Sequence, residues 1–311
     1  MKKFLGLLAL LLIMGCDDGD MTFDTFDFTD ATAQKCANTN ILYKINGSEV
    51  LILDIDESNF INAENLEGTI IPIGTTNKVT YRNYSETITS NSGIICTDVP
   101  PATPIVIEEW IATGGSIKIV TSKLLDTETG EINGYAHLIT LVSVDFANNE
   151  QNIIIQNNNF GTYNTTLGYT FDFVGTETNP IQVNDCNNGL VYKKNGAEVL
   201  IIDLPATAYP TVEGTVTFPI DGTDNRVVFD VYSASATTDN ICGSSIPPVT
   251  PVIEQRWNAE GEVIIQTVFN SATSLYEYII TLNVEFTNST NSQETFEKLN
   301  YSFGTYAPSA D

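Results

Sequence analysis

The sequence predicts an all-β protein of two tandem, duplicated β-sandwich domains, Ig-like or jelly-roll-like, each closed by one internal disulfide. Three observations predict this fold. Short apolar runs rich in Ile, Val, Thr, Phe and Tyr recur roughly every ten residues, a spacing typical of sandwiches and barrels. A set of motifs occurs twice in the same order, and four cysteines occupy matched places in the two copies. No long stretch has the i, i+3, i+4, i+7 pattern of an amphipathic helix.

The composition excludes two classes of protein. The 311 residues include 13 basic and 39 acidic side chains, which give a formal net charge of −26. A surface of this sign repels phosphate backbones, so no nucleic-acid partner is expected. The hydrophobic content of 42% is too high for a disordered acidic tail. The chain is therefore expected to bury a core.

Residues 1–15 are interpreted as a signal peptide. Lys2 and Lys3 precede an apolar run from Phe4 to Met14. This run is too short to cross a hydrocarbon core, which needs about twenty residues in a helix. A basic start followed by a short apolar run is typical of a secretory signal, which is left out of fold prediction.

The next residues resemble two signals of bacterial lipoproteins. Ile13-Met14-Gly15-Cys16 resembles the lipobox, in which the cysteine carries the lipid. Asp17-Asp18-Gly19-Asp20 resembles the surface-export signal of Bacteroidota-type surface-exposed lipoproteins. The resemblance is confined to residues 1–20. It implies lipidation at Cys16, an export signal formed by Asp17, Asp18 and Asp20, and a body that is anchored in the outer membrane and exposed at the cell surface.

An acidic tether in solvent is the alternative role of the three aspartates. In either case residues 16–25 are predicted to form a lipidated acidic tether. No later segment is long and apolar enough to span a bilayer, so the lipid is the predicted contact with the membrane.

The body of the chain contains one unit twice, because four-residue and three-residue motifs of the first copy return in order in the second. The matched motifs include Phe26-Asp27-Phe28 with Phe171-Asp172-Phe173, Glu49-Val50-Leu51-Ile52 with Glu198-Val199-Leu200-Ile201, Glu67-Gly68-Thr69 with Glu213-Gly214-Thr215, and Phe160-Gly161-Thr162-Tyr163 with Phe303-Gly304-Thr305-Tyr306. The repeat predicts two β-sandwich domains, residues 26–166 and 167–311, each of the usual size for an independent domain.

The remaining cysteines follow the same repeat. Cys36 matches Cys186, and Cys96 matches Cys242. Four cysteines allow three pairings, and the duplication selects Cys36–Cys96 and Cys186–Cys242 because each domain is expected to close its own bridge. Disulfides agree with an extracytoplasmic compartment. A zinc site is the alternative, but the chain has no CxxC pair and a single histidine, His137.

Turn signals separate the strand-like runs within each copy. Asn46-Gly47 and Asn195-Gly196 suit type I′ hairpin turns. Gly114-Gly115 and Glu260-Gly261 also lie between strand-like runs. Each copy is therefore predicted to contain about seven to nine antiparallel strands.

The residues include no recognised catalytic motif. A Ser-His-Asp arrangement needs a histidine base, and His137 lies in a strand-like run where a packed histidine is the usual outcome. No GxSxG, HExxH, P-loop or GxGxxG signature occurs. The chain is therefore predicted not to be an enzyme. Glycoside hydrolysis stays open, because it needs only two carboxylates at a suitable separation across a cleft.

Calcium is the cofactor that this composition suits best, because oxygen ligands are typical of an acidic extracellular β-protein. Asp54, Asp56 and Glu57 cluster in the first copy, whereas the matched place in the second copy reads Asp203-Leu204-Pro205-Ala206. A calcium site would therefore belong to one copy only. No other cofactor is expected.

Trp110 and Trp257 are the candidate ligand-binding residues. They occupy matched places in the two copies, and exposed aromatic rings are a usual platform for sugars or apolar partners. A sheet-packing tryptophan would show the same pattern, so the core is the alternative location for both.

Together these observations predict a membrane-anchored surface lipoprotein that acts as a non-catalytic binding, adhesion or accessory module. A glycan or a surface protein is the expected partner beside the membrane. One alternative is a carbohydrate-active enzyme or glycan-binding protein on a jelly-roll scaffold. The other is a structural or assembly component of the outer membrane.

Overall fold

A computed structural model describes residues 26–37, 39–89, 93–97, 102–128, 130–148, 151–186, 189–243 and 249–308. Strands account for 58% of the described residues and helices for 4%, so the predicted all-β class with a sandwich-like fold is confirmed. The predicted signal peptide and tether lie outside the described residues.

Strands of the first copy form one antiparallel sheet. They are β1 (Gln34–Lys35), β2 (Ile41–Asn46), β3 (Glu49–Asp54), β4 (Asn65–Pro72), β5 (Lys78–Tyr84), β6 (Val106–Leu125), β7 (Ile132–Ala147), β8 (Asn152–Ile155) and β9 (Asn158–Thr166). The order is β1-β2-β3-β5-β6-β7-β8, with β4 paired to β6 and β9 paired to β7.

Strands of the second copy repeat this arrangement after a small hairpin. They are β10 (Gly175–Thr176), β11 (Asn179–Pro180), β12 (Asn184–Asp185), β13 (Leu190–Asn195), β14 (Glu198–Asp203), β15 (Gly214–Ile220), β16 (Arg226–Tyr232), β17 (Ile253–Asn270), β18 (Leu275–Asn288) and β19 (Thr295–Tyr306). The order β12-β13-β14-β16-β17-β18-β19, with β15 on β17, matches the first copy, except that the single strand β19 takes the place of β8 and β9. The predicted duplication is therefore confirmed.

Helical structure is limited to short turns in the described residues. Matched 3₁₀ turns, Glu57–Asn59 and Ala206–Ala208, follow β3 and β14, and one α-helix, α1 (Thr238–Cys242), carries a disulfide cysteine.

Contacts divide the described residues into two compact units. Unit 1 contains residues of Met1–Glu57, Ile70–Lys118 and Ile139–Tyr163, and unit 2 contains Ser58–Thr69, Ile119–Leu138 and Asn164–Asp311. Unit 2 thus combines the second sequence repeat with two segments of the first. The predicted domain limits, 26–166 and 167–311, stay a prediction.

Both disulfides form as the repeat predicts. Cys36 is bonded to Cys96 with a Cα–Cα distance of 5.5 Å, and Cys186 to Cys242 with a distance of 5.3 Å. Each bridge lies in its own small apolar cluster, which includes the matched pairs Tyr43 with Tyr84 in unit 1 and Tyr192 with Tyr232 in unit 2.

The first hairpin of each copy has a different turn from the one predicted. Asn46 pairs with Glu49, so the two-residue loop is Gly47-Ser48. Only Gly47 has a positive φ, +64°, as in a type II′ turn, whereas type I′ needs positive φ at both loop residues. The type I′ prediction was wrong because the loop starts one residue later than the Asn-Gly pair suggests.

Removal of the second disulfide is expected to destabilise unit 2 without changing its fold. Cys186 and Cys242 close a loop with a sequence separation of 56, which is worth about 4 kcal/mol on the loop-entropy model. Urea unfolding of the double variant Cys186→Ser/Cys242→Ser measures this loss. Alkylation of the unreduced protein is the control, and modification of any of the four cysteines would contradict the pairing.

Candidate functional site

The predicted lipid and export residues, Cys16, Asp17, Asp18 and Asp20, lie outside the described residues. Within the part that the structure describes, no helix is long and apolar enough to cross a membrane.

Both candidate tryptophans lie in the core. Trp110 is 2% exposed and Trp257 is 4% exposed. Each indole N–H donates to a side chain two residues earlier, Nε1 of Trp110 to Glu108 at 2.9 Å and Nε1 of Trp257 to Gln255 at 3.2 Å. Neither indole therefore forms an exposed platform, which is the core location that the sequence also allowed.

The candidate calcium ligands are engaged with cations of the protein. Glu57 forms an ion pair with Lys35, and Asp54 lies 4.0 Å from Lys78. Over the described ranges, no group of three or more His, Cys, Asp or Glu residues is arranged to hold a metal ion. The arrangement around Asp54, Asp56 and Glu57 therefore carries no argument for calcium.

His137 is fully buried in unit 2, between two threonine hydroxyls. Its Nδ1 lies 3.0 Å from Thr121 Oγ1, and its Nε2 lies 3.0 Å from Thr165 Oγ1. Because the Thr165 hydroxyl donates to Asn62 Oδ1 at 2.5 Å, it accepts from Nε2–H, and Nδ1 accepts from Thr121. The ring edge also contacts Phe60 at a centroid distance of 5.4 Å. This is a packed, neutral histidine.

The free energy of unfolding is expected to decrease as the pH falls from 6.5 to about 4, because buried His137 resists protonation in this range. Burial lowers the pKa of His137 to about 4 from its ordinary 6.5. Between these values the unfolded chain binds more protons than the folded chain, so acid favours unfolding, by up to about 3 kcal/mol. Urea unfolding at pH 6.5 and pH 4 should show this loss in the wild type and a smaller loss in His137→Gln. Carboxylates titrate in both proteins, so equal losses would contradict the assignment.

A cavity of about 420 Å³ lies in unit 2, and we call it the unit 2 groove. This volume is in the usual range for small-molecule sites. Its walls are Lys123, Gly130, Glu131, Ile132, Tyr135, Leu167, Tyr169, Thr170, Phe171, Glu285, Thr295, Phe296, Glu297 and Lys298. A second cavity of about 140 Å³ shares Tyr135, Leu167, Tyr169 and Thr295 with the groove and adds Glu294 to the walls.

Two tyrosines, Tyr135 and Tyr169, border both cavities. Tyr135 is 3% exposed, and Tyr169 packs edge-on against Phe229 and Trp257 and in a tilted arrangement against Phe296, at centroid distances of 5.2–5.4 Å. Neither hydroxyl makes a hydrogen bond to any residue of the described ranges. Burial raises the pKa of both phenols, and the nearby Glu294 carboxylate raises it further. Both groups therefore remain O–H donors at neutral pH.

Glu294 is held in a fixed orientation beside these tyrosines. Its carboxylate accepts hydrogen bonds from Asn288 Nδ2 at 2.7 Å, from the Asn62 backbone N–H at 3.3 Å and from Asn291 Nδ2 at 3.5 Å. Three donors from two separate segments fix the carboxylate, so its position does not depend on a flexible side chain alone.

Charged groups line the other side of the unit 2 groove. Lys298 donates to Glu131 at 2.8 Å and lies 4.8 Å from the centroid of the Phe171 ring. Glu285 and Glu297 are directly opposite each other on β18 and β19. Adjacent carboxylates on neighbouring strands repel each other, and a ligand that donates hydrogen bonds to them would relieve this repulsion.

Sequence reasoning did not find Tyr135, Tyr169 or Glu294. They come from β7, from the segment before β10 and from the turn before β19, and no local motif connects them. The signal that was present in the sequence is weak: Tyr169 precedes the repeated Phe171-Asp172-Phe173 motif by two residues.

No family model matches the chain, and neither a curated protein nor a solved structure is similar to it. The functional argument therefore depends on the residues of this chain.

Proposed function

We propose that this chain is a non-catalytic binding protein, held at a membrane by a lipid on Cys16, and that it binds a short neutral glycan in the unit 2 groove. The anchor follows from the resemblance of residues 1–20 to surface lipoproteins. One observation carries the ligand assignment: two tyrosine hydroxyls that have no hydrogen-bond partner among the described residues border the groove, and the fixed Glu294 carboxylate lines the second cavity, which shares these tyrosines.

The chemistry of these groups suits a sugar. The hydroxyls of Tyr135 and Tyr169 can donate to sugar oxygens, while Glu294 accepts from sugar hydroxyls. A ligand rich in hydroxyls provides both donors and acceptors at close spacing, and the aromatic walls suit the apolar face of a sugar ring.

A second candidate function is glycoside hydrolysis in the same groove. Glycoside hydrolysis uses two carboxyl groups that flank the scissile bond. Glu285 and Glu297 are directly opposite each other on neighbouring strands, and both line the groove. Cleavage of a bound glycan is the observation that would support this second function.

Replacement of the two tyrosines by phenylalanine is expected to weaken glycan binding and leave the fold intact. An array of neutral oligosaccharides identifies the ligand, and calorimetry measures its Kd for the full chain. One lost hydrogen bond costs about 0.5–1.5 kcal/mol, so the two lost in Tyr135→Phe/Tyr169→Phe should raise Kd at least about fivefold.

Tyr278→Phe is the matched control. Its hydroxyl donates to the Tyr209 carbonyl at 3.1 Å and does not line either cavity, so this variant should bind normally. Unchanged binding by the double variant would contradict the proposed site. No binding to any glycan would instead favour a protein partner or an assembly role, and release of a shorter sugar that Glu285→Gln abolishes would favour hydrolysis.

A further inference from the structure

Unit 1 contains a cavity whose chemistry differs from that of the unit 2 groove. Its volume is about 320 Å³. The walls are Thr29, Ala31, Thr32, Ala33, Lys44, Asn158, Asn159, Gly161 and Thr162. No carboxylate lines it, although acidic residues outnumber basic ones by 39 to 13 in the chain. We call this cavity the Lys44 pocket.

Lys44 is almost completely buried, and its ammonium group has no hydrogen-bond or ion-pair partner among the residues that the structure describes. The residue as a whole is 3% exposed. Its Nζ is not one of the fully buried side-chain atoms without a partner, so the ammonium itself stays accessible to a ligand. The charge that acts on it is Asp27, whose carboxylate already accepts from the backbone N–H and the hydroxyl of Thr29 at 3.1 and 2.7 Å. Burial disfavours the charged form of a lysine, and it accordingly lowers the pKa of Lys44.

The matched lysine of the second copy is satisfied by the protein. Lys193 pairs with Leu200 in its hairpin as Lys44 pairs with Leu51, and it is 6% exposed. Its Nζ donates to the Phe173 carbonyl at 2.8 Å and lies 5.9 Å from the centroid of the Phe303 ring. In unit 2 the protein itself therefore provides an acceptor for the lysine ammonium. Among the described residues of unit 1, no carbonyl accepts from Lys44 in this way.

Two differences between the copies leave space in the Lys44 pocket. Pairing of Gln34 with Tyr43 and of Asn184 with Tyr192 makes Ala33 the counterpart of Val183. In unit 2 the Val183 side chain and the Lys193 side chain fill the space over Gly304, within 3.2–3.4 Å of where its Cβ would lie. Over the matched Gly161, which lines the pocket, the neighbour within 4 Å is Ala33, and Lys44 lies farther away. The smaller side chain and the different position of the lysine leave the space over Gly161 open.

We infer that the Lys44 pocket binds the carboxylate of a small, hydroxyl-rich ligand such as an acidic sugar. The positive charge of Lys44, which lines the pocket, balances the negative charge of the ligand carboxylate. Threonine hydroxyls and asparagine amides on the walls provide donors and acceptors for the remaining oxygens. The negative charge elsewhere on the protein is screened beyond about 8 Å at physiological salt, so the charges at the pocket decide which ligand enters.

D-galacturonate and D-galactose are the probes, because they differ only in the carboxylate at C6. Calorimetry and NMR titration of the full chain should detect galacturonate binding and at least tenfold weaker galactose binding. Ala33→Val should weaken galacturonate binding at least tenfold, because it fills the pocket as Val183 does and leaves Lys44 in place. Val183→Ala is the control and should leave the affinity unchanged.

Lys44→Met removes the charge and should abolish the preference for galacturonate over galactose. If this variant does not fold, Thr32→Glu tests the same point, because an exposed carboxylate at the pocket wall competes for the ammonium. Absence of galacturonate binding by the wild type, or equal binding by wild type and Ala33→Val, would overturn the inference. Tyr135→Phe/Tyr169→Phe should bind galacturonate normally, so the two sites are tested separately.

Discussion

In both copies the longest strand lies so close to its paired neighbour at one glycine that no side chain fits between the backbones. A Cβ on Gly115 would lie 2.5 Å from the Ser143 carbonyl oxygen and 2.7 Å from the Val144 Cα. A Cβ on Gly261 would overlap the Asn283 carbonyl oxygen and lie 3.1 Å from the Val284 Cα. Both glycines have positive φ, +104° and +126°, a conformation that other residues adopt only with strain.

This close approach determines where the second unit presents its polar groups. Glu260 pairs with Glu285 immediately beside Gly261, and Glu285 pairs in turn with Glu297 on β19. The close approach at Gly261 therefore sets the position of β18, whose Glu285 lines the unit 2 groove. On the opposite face Val284 and Phe286 point into the core, because side chains alternate along a strand.

The sequence predicted those features that depend on local pattern or on repetition. Matched cysteines predicted the two disulfides, because each copy could be compared with the other. The binding groups could not be predicted, since Tyr135, Tyr169 and Glu294 come together only through strand pairing between distant segments. The two tryptophans were ambiguous because an exposed and a buried ring have the same spacing in a sequence. The change from Val183 to Ala33 was visible but looks conservative, and its consequence for Lys44 depends on packing.

Comparison of Gly261→Ala with Gly222→Ala tests most directly whether the close approach of the two long strands organises each copy. Both glycines have positive φ, but a Cβ on Gly222 would meet no atom within 4 Å. Equilibrium unfolding in urea should therefore show a loss of about 1–2 kcal/mol for Gly222→Ala and at least about 2 kcal/mol more for Gly261→Ala. Equal losses for the two variants would contradict the account.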